Sequence, residues 1–288
     1  MTSTNLGGGR IYKILASEIE RAGYFYGANN GAETLVAAYE RLGKEYGRKP
    51  DLLLNCELFD FGDRTPSSDV VDEGKKHRLT GSHGLSVVND TEIRFTYNNW
   101  INADDYVGFY PTTNINGKVD YKTPSGIDAY KNRGRTGGGL DAQNNLYIAL
   151  VPDKKGITLR QLADGMKAAG VVNGGNWDGG LSSQWYSPNG NNYTGRPVRG
   201  WFAVWIKKAQ AKPAATPSKA PAPAKTAADV RTVKVRVGSC LRVRHLPSTS
   251  RGIVVGKLYR GNKVTVLSTE GKWCKIASGW VHSDYLVK

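Results

Sequence analysis

Apolar positions recur along the first two hundred residues in three patterns. Two segments, RIYKILASEIER (residues 10–21) and GAETLVAAYERLG (residues 31–43), repeat apolar residues at helical spacing, are separated by a Gly/Asn-rich stretch, and are expected to form a helical N-terminal extension. The aromatic run Tyr24, Phe25 and Tyr26 lies between them, where it could border a cleft. The leucine run Leu52–Leu54 before Cys56 reads as a strand and RTGGGLDAQNNLYIALV (residues 135–151) as a hairpin. After these, residues 156–170 place Leu159, Leu162 and Met166 on one face of a helix. Helices alternating with strands predict an α+β domain, a mixed sheet with helices, over residues 1–208.

The pattern then stops. Residues 209–230 carry nine Ala, four Pro and three Lys with no aromatic, so they cannot build a core and are expected to form an extended linker. From residue 231 to 288 short alternating segments are broken at Pro247-Ser248, Arg260-Gly261-Asn262, Glu270-Gly271-Lys272 and Ser278-Gly279, the pattern of a small all-β barrel.

Charge separates the two parts further. Of the net +15, residues 209–288 supply +12, with 15 Lys and Arg against 3 Asp and Glu. A module so basic favours polyanions: nucleic acid, anionic lipid or an anionic wall polymer. Tyr259, Trp273, Trp280 and Tyr285 interleave with the cations and could stack on sugar rings or bases, Trp273 being the better surface candidate because it follows a turn. No apolar stretch reaches the length of a membrane helix and the first residues lack a signal-peptide pattern, so synthesis in the cytoplasm without a signal peptide is expected. Cys56, Cys240 and Cys274, being odd in number, read as reduced thiols.

The densest chemistry is in NGGNWDGGLSS (residues 173–183), one carboxylate, Asp178, among four glycines and two hydroxyls directly after the predicted helix. Read as a loop, it would offer backbone N–H groups with Ser182 and Ser183 to phosphate or sugar oxygens, and its donors would favour ionised Asp178; an Asp at a helix N-cap in a surface turn is the plainer alternative.

With its neighbours this stretch resembles the phosphodiester glycosidase family, whose pattern is R-T-x-x-G, an apolar strand, G-x-T-L-x-E-L-A-x-x-L, and N-x-D-G-G-G-S-S. Arg135, Thr136, Gly139, Gly156, Thr158, Leu159, Leu162, Ala163, Asn176, Asp178, Gly179, Gly180, Ser182 and Ser183 follow it in order, while Leu181 replaces a glycine. Residues 51–60 stand where the family has a strand ending in N-G-G-F-F, keeping Asn55 and Phe59 but carrying Cys56 and Glu57 in place of the glycines, and RPVRGWFAVW (residues 196–205) looks like its closing R-P-V-x-N strand. Residues 231–288 resemble the bacterial SH3 family, through LRVR at 241–244 with Pro247-Ser248, residues 261–266, and Gly279-Trp280-Val281 through Tyr285-Leu286.

These resemblances imply a wall hydrolase of the phage endolysin kind. A C-terminal module would bind bacterial wall, as peptidoglycan or teichoic acid in preference to nucleic acid or membrane, and the enzyme would act there after release from the cytoplasm. Cleaving a sugar C1–O–phosphate bond needs a carboxylate near C1 and donors for the phosphate. Asp178 is the candidate base or nucleophile, Glu57 its companion acid/base, Asn55 a positioning residue, and Arg135, Thr136, Asn176, Gly179, Gly180, Ser182 and Ser183 the substrate contacts. No cofactor is expected and a metal requirement is left open, since His77, His83, His245 and His282 lack a second ligand at metal-site spacing. Two alternatives stand: a wall peptidase using Cys56 and His83, and a wall-binding protein without catalysis.

Overall fold

The computed structural model describes residues 1–28, 33–60, 65–78, 81–97, 103–119, 130–208, 229–236, 240–244, 247 and 254–288. The chain divides into two compact units, Met1–Lys208 and Ala209–Lys288. Most of the predicted linker, residues 209–228, lies outside the described residues.

Among the described residues, three antiparallel sheets build the first unit. Edge to edge, the seven-stranded sheet runs β1 (Thr2–Leu6), β2 (Gly9–Ile14), β13 (Leu146–Val151), β12 (Arg135–Leu140), β14 (Asn173–Gly179), β10 (Thr112–Ile115) and β11 (Lys118–Val119). The four-stranded sheet runs β15 (Trp185–Tyr186), β4 (Leu52–Asn55), β16 (Gly200–Ile206) and β3 (Ile19–Tyr26). A five-stranded sheet runs β6 (Lys75–Arg78), β5 (Val70–Asp72), β9 (Asp105–Gly108), β7 (His83–Val88) and β8 (Glu92–Tyr97).

Side-chain alternation assigns the layers. Tyr12, Leu146, Ile148 and Leu150 of the first sheet, Leu52, Leu54, Phe202 and Val204 of the second, and Val70, Leu85 and Val107 of the third share one core. The intervening residues face outward onto helices. Ile11, Tyr147, Ala149 and Val151 pack on α2 (Leu159–Ala169), and Leu53, Trp201, Ala203 and Trp205 pack on α1 (Leu35–Glu45). Burial on both faces explains why these strands read as continuous apolar runs.

The unit is therefore mostly β, with two α-helices among the described residues, and not the α+β domain with helices expected from the sequence. The segment at residues 10–21, expected to be helical, is parts of two strands. Ile11 faces α2 while Tyr12 and Ile14 enter the shared core, and a short 3-10 turn, Ala16–Glu18, redirects the chain into β3. Spacing of apolar residues across that break imitates a helix. The second segment does form α1, capped by Thr34.

The Gly-rich stretch also departs from expectation, because Asn173–Gly179 is the strand β14 and only then does a 3-10 turn, Gly180–Ser182, follow. Gly138 of β12 pairs Gly175 of β14, and Gly139 pairs Gly174. A Cβ at Gly138 would lie 2.5 Å from Trp177 Cη2 and one at Gly175 would lie 2.7 Å from Phe109 Cβ. Missing side chains thus admit two rings to the backbone, and Phe109, Trp177 and Phe202 form a continuous stack with centroids 5.6 and 5.2 Å apart.

In the second unit, β20 (Lys263–Thr265), β17 (Val230–Val233) and β24 (Leu286–Val287) form one sheet. The other runs β19 (Val254–Tyr259), β18 (Cys240–Arg244), β23 (Gly279–His282), β22 (Trp273–Ile276) and β21 (Ser268–Glu270). Val233, Val235, Leu241, Val243, Val264, Ile276 and Val281 form its own core. An all-β barrel was expected here, and strands are what the unit contains.

Candidate active site

Strand β14 delivers Asp178 to the wall of a cavity of about 300 Å³. The register between β12 and β14 shifts between Arg135 and Gly137, a bulge of the kind that re-aims side chains at the end of a strand. Thr136 Oγ1, on that bulge, donates to the Asp178 carbonyl at 2.5 Å. Asp178 Oδ1 accepts from the Gly179 N–H at 2.8 Å, and Oδ2 lies 3.5 Å from Asn55 Nδ2. Asn55 is itself held by β15's flank, its Oδ1 accepting from Gln184 N at 2.9 Å.

Burial, the largest influence, pushes the Asp178 carboxyl up to about 6, against the donors Gly179, Ser182 and Asn55 and the charge of Arg196, which pull it down. Donors surround Asp178 as expected, but desolvation outweighs them, so the net shift opposes the expected one.

Around Asp178 the cavity is lined by Arg133, Arg135 and Arg196, with Tyr110, Asn176 and Leu181. Arg135 is anchored, its Nε donating to Ile157 O at 3.1 Å and Nη2 to Lys131 O at 3.3 Å. Asn176 Nδ2 donates to Tyr110 O at 2.9 Å, whereas its buried Oδ1 has no hydrogen-bond partner among the described residues. Gly179 and Gly180 line the cavity, but the N–H of Gly179 serves Asp178 and that of Gly180 serves Gly134 O at 2.9 Å. The glycine donors expected for phosphate are therefore already used, which leaves arginines as the principal cations facing the space. Leu181, the residue in place of the family's third glycine, is 63% exposed at the lip and leaves the cavity open.

Other expected site residues stand behind the wall. Ser183 is fully buried, its N–H bonding Gly180 O at 3.1 Å, and it does not line the cavity. Glu57 is 1% exposed and absent from the lining. It is no solvated strand-end charge: Tyr24 donates its hydroxyl to Oε2, and Arg199 Nε lies 2.8 Å from Oε1. Burial raises the Glu57 carboxyl to about 7 despite those two partners, and the charge of Asp178 adds to the rise. Arg199 in turn lies over the Tyr26 ring at 4.6 Å, so the aromatic run at residues 24–26 supports Glu57.

Cys56 and His83 do not have the chemistry of a thiolate pair. Cys56 is fully buried in the shared core, and burial followed by the charges of Glu57 and Asp178 drives its thiol well above the ordinary value, the reverse of nucleophile activation. His83 stacks on Phe95 at 5.0 Å, and burial lowers its pKa.

The phosphodiester glycosidase family model matches residues 58–205, just over half of the chain. The chain belongs to the phosphodiester glycosidase family. The domain is accordingly a hydrolase, and its second unit matches the bacterial SH3 domain over residues 239–287. Among solved structures, the catalytic domain of zebrafish N-acetylglucosamine-1-phosphodiester α-N-acetylglucosaminidase, auto-inhibited by its pro-peptide, superimposes with a TM-score of 0.54 at 15% identity, covering 69% of this chain and 77% of that one. A hypothetical protein from Synechocystis gives 0.49 at 11% identity, covering 72% and 61%. At such identities the first likeness speaks for the fold. No curated protein matches the chain significantly.

Within the phosphodiester glycosidase domain, Arg133, Arg196, Tyr110 and Arg199 were not singled out from the sequence as site residues, and Tyr24, expected at most to border a cleft, instead holds Glu57. Arg196 and Arg199 lie in the closing motif RPVR, which was the available signal. In the SH3 unit, Trp273 and Tyr285 line a groove, while Trp280 lies under Lys275 at 5.3 Å and neither it nor Tyr259, which is 59% exposed, lines that groove.

Proposed function

We propose that the phosphodiester glycosidase domain hydrolyses a sugar–phosphate diester of a bacterial cell wall, to which the SH3 unit holds it. The observation that carries this reading is Asp178 standing in a cavity faced by Arg133, Arg135 and Arg196, a carboxylate for C1 beside cations for the diester phosphate. Water adds to C1, the C1–O bond breaks, and the electron pair leaves with the phosphate as a phosphomonoester. That leaving group is a weak base, so charge stabilisation by guanidinium groups matters more than protonation.

Asp178 in its ionised form acts as base or nucleophile at C1, with Asn55 positioning it. Asn176 Oδ1, a buried acceptor with no partner among the described residues, suits a sugar hydroxyl or amide N–H. Arg135 and Arg196 hold the phosphate oxygens, Ser182 lines the same cavity with its hydroxyl donated to Asp178, and Thr136 with Gly179 and Gly180 shapes the turn that carries them. Glu57, held behind the cavity wall by Tyr24 and Arg199, is the companion carboxylate, supporting the site from behind Asp178.

A wall hydrolase acting after release from the cytoplasm, of the endolysin type and directed at a Gram-positive wall, accommodates a bacterial SH3 domain, a strongly basic tail and three free cysteines. Mass spectrometry of products from purified Gram-positive walls tests the reading. Release of sugar or phosphomonoester from walls that retain phosphodiester polymers, and none from walls stripped of them, is expected. New amino termini without such products would overturn it.

A further inference from the structure

Lys234 and Arg236, just after β17, alternate with buried Val235; Arg242 and Arg244 on β18 alternate with buried Leu241 and Val243. The apolar residues enter the core of the SH3 unit, and the four cations line a groove of about 780 Å³. Its other side is aromatic. Trp273 and His282 are paired across β22 and β23 with ring centroids 5.2 Å apart at 75°, and Tyr285 follows at 6.0 Å and 64°. Among the described residues no carboxylate lines the groove; Asp284 approaches only from its edge, 3.5 Å from His282 Nδ1.

We infer that this groove is a binding site for a phosphodiester-linked glycan polymer, its phosphates on Lys234, Arg236, Arg242 and Arg244 and its sugar rings against Trp273 and Tyr285. With no carboxylate among the described lining residues, the groove carries a positive field that favours an anionic polymer over an uncharged glycan or a neutral peptide. Trp273 and Tyr285 each stand edge-on to His282, at 75° and 64°, so the two rings are set apart by the imidazole and offer separated faces to spaced sugars. Resting on the reading of the catalytic domain given above, the inference further means that one polymer is both held by the second unit and cut by the first.

The test is equilibrium binding of the full chain to three soluble probes: a glycosylated poly(glycerol phosphate), phosphate-free peptidoglycan fragments, and an oligothymidylate with the same number of phosphates. The glycosylated polymer should bind tightest, with affinity falling as salt rises. Arg236→Gln with Arg242→Gln should weaken that binding about tenfold or more, as the loss of charge-assisted contacts does. Trp273→Ala, which leaves every cation in place, should weaken it as well and lower the affinity for the glycosylated polymer more than for its unglycosylated backbone. Both variants should keep the wild-type circular dichroism and turnover of a small soluble glycosyl phosphodiester. Equal or tighter binding of the phosphate-free fragments or of the oligothymidylate would overturn the assignment, as would unchanged binding by the folded variants. Turnover of the small diester reads the catalytic domain alone, so its absence in the wild type would refute the catalytic reading and leave the groove's own result intact.

Discussion

Asp178 combines a fixed carboxylate with a costly environment, and two predictions follow from that pairing. Its folded-state pKa of about 6 lies above the ordinary 3.8, so the folded state holds a proton that the unfolded state has lost between about pH 4 and 6. Stability from this group is complete below about pH 4 and is lost as pH rises through 6. Asp178→Asn removes the buried charge, and should raise unfolding free energy at pH 8 by up to about 3 kcal/mol, with the gain vanishing at pH 3. The same variant should lose turnover, while wild-type kcat/KM should rise with pH through about 6 as Asp178 ionises. Urea unfolding at both pH values and a rate profile check this; an active variant would move the chemistry elsewhere. A second pair separates holding phosphate from holding the fold. Arg196→Ala should lower kcat/KM on a glycosyl phosphodiester by about 100-fold, with a much smaller effect on a neutral aryl glycoside. Arg135→Ala should in addition destabilise the domain, because the Arg135 side chain is buried and donates to Ile157 O and Lys131 O. Thermal unfolding of both variants distinguishes them.

At the level of elements, the facing glycine strands place Asp178, because Trp177 precedes it and sets its benzo ring against Gly138. Gly138→Ala would drive a methyl into a rigid ring, and should destabilise the domain by roughly 1–3 kcal/mol and reduce turnover together. Denaturant titration with parallel kinetics would show it; a stable, fully active variant would mean that the ring contact does not hold Asp178. Local patterns made much of this architecture legible. The hairpin at residues 135–151, the helix with its Thr158–Gln161 capping box and the strand before Cys56 all form where apolar spacing places them. Residues 10–21 did not read correctly, since Ile11, Tyr12, Ile14 and Ile19 suit a helical period until the turn at Ala16–Glu18 is known. Glycine-rich β14 did not read as a strand because its partner, the equally glycine-rich β12, is more than thirty residues away. Asp178, Asn176 and Arg135 were legible as a group, while Arg133, Tyr110 and the Tyr24–Glu57–Arg199 cluster meet through pairings between sheets.

The whole molecule joins a glycosidase domain of small net charge to an SH3 unit that, with the residues before it, carries +12. Each unit has its own core, so residues 1–208 alone should hydrolyse a small soluble diester at the rate of the full chain. Tethering raises local concentration at a polymer, and the isolated domain should therefore lose activity on intact walls far more than on the soluble substrate. Equal losses on both would show that the second unit supports catalysis directly. The claim that the first domain is a glycosidase acting on a diester is tested most directly by turnover of a soluble glycosyl phosphodiester in ¹⁸O-labelled water, read by mass spectrometry of the phosphomonoester. Cleavage at C1 predicts a phosphomonoester free of ¹⁸O, produced by the wild type and not by Asp178→Asn. Phosphomonoester carrying ¹⁸O would place the attack at phosphorus and contradict the account.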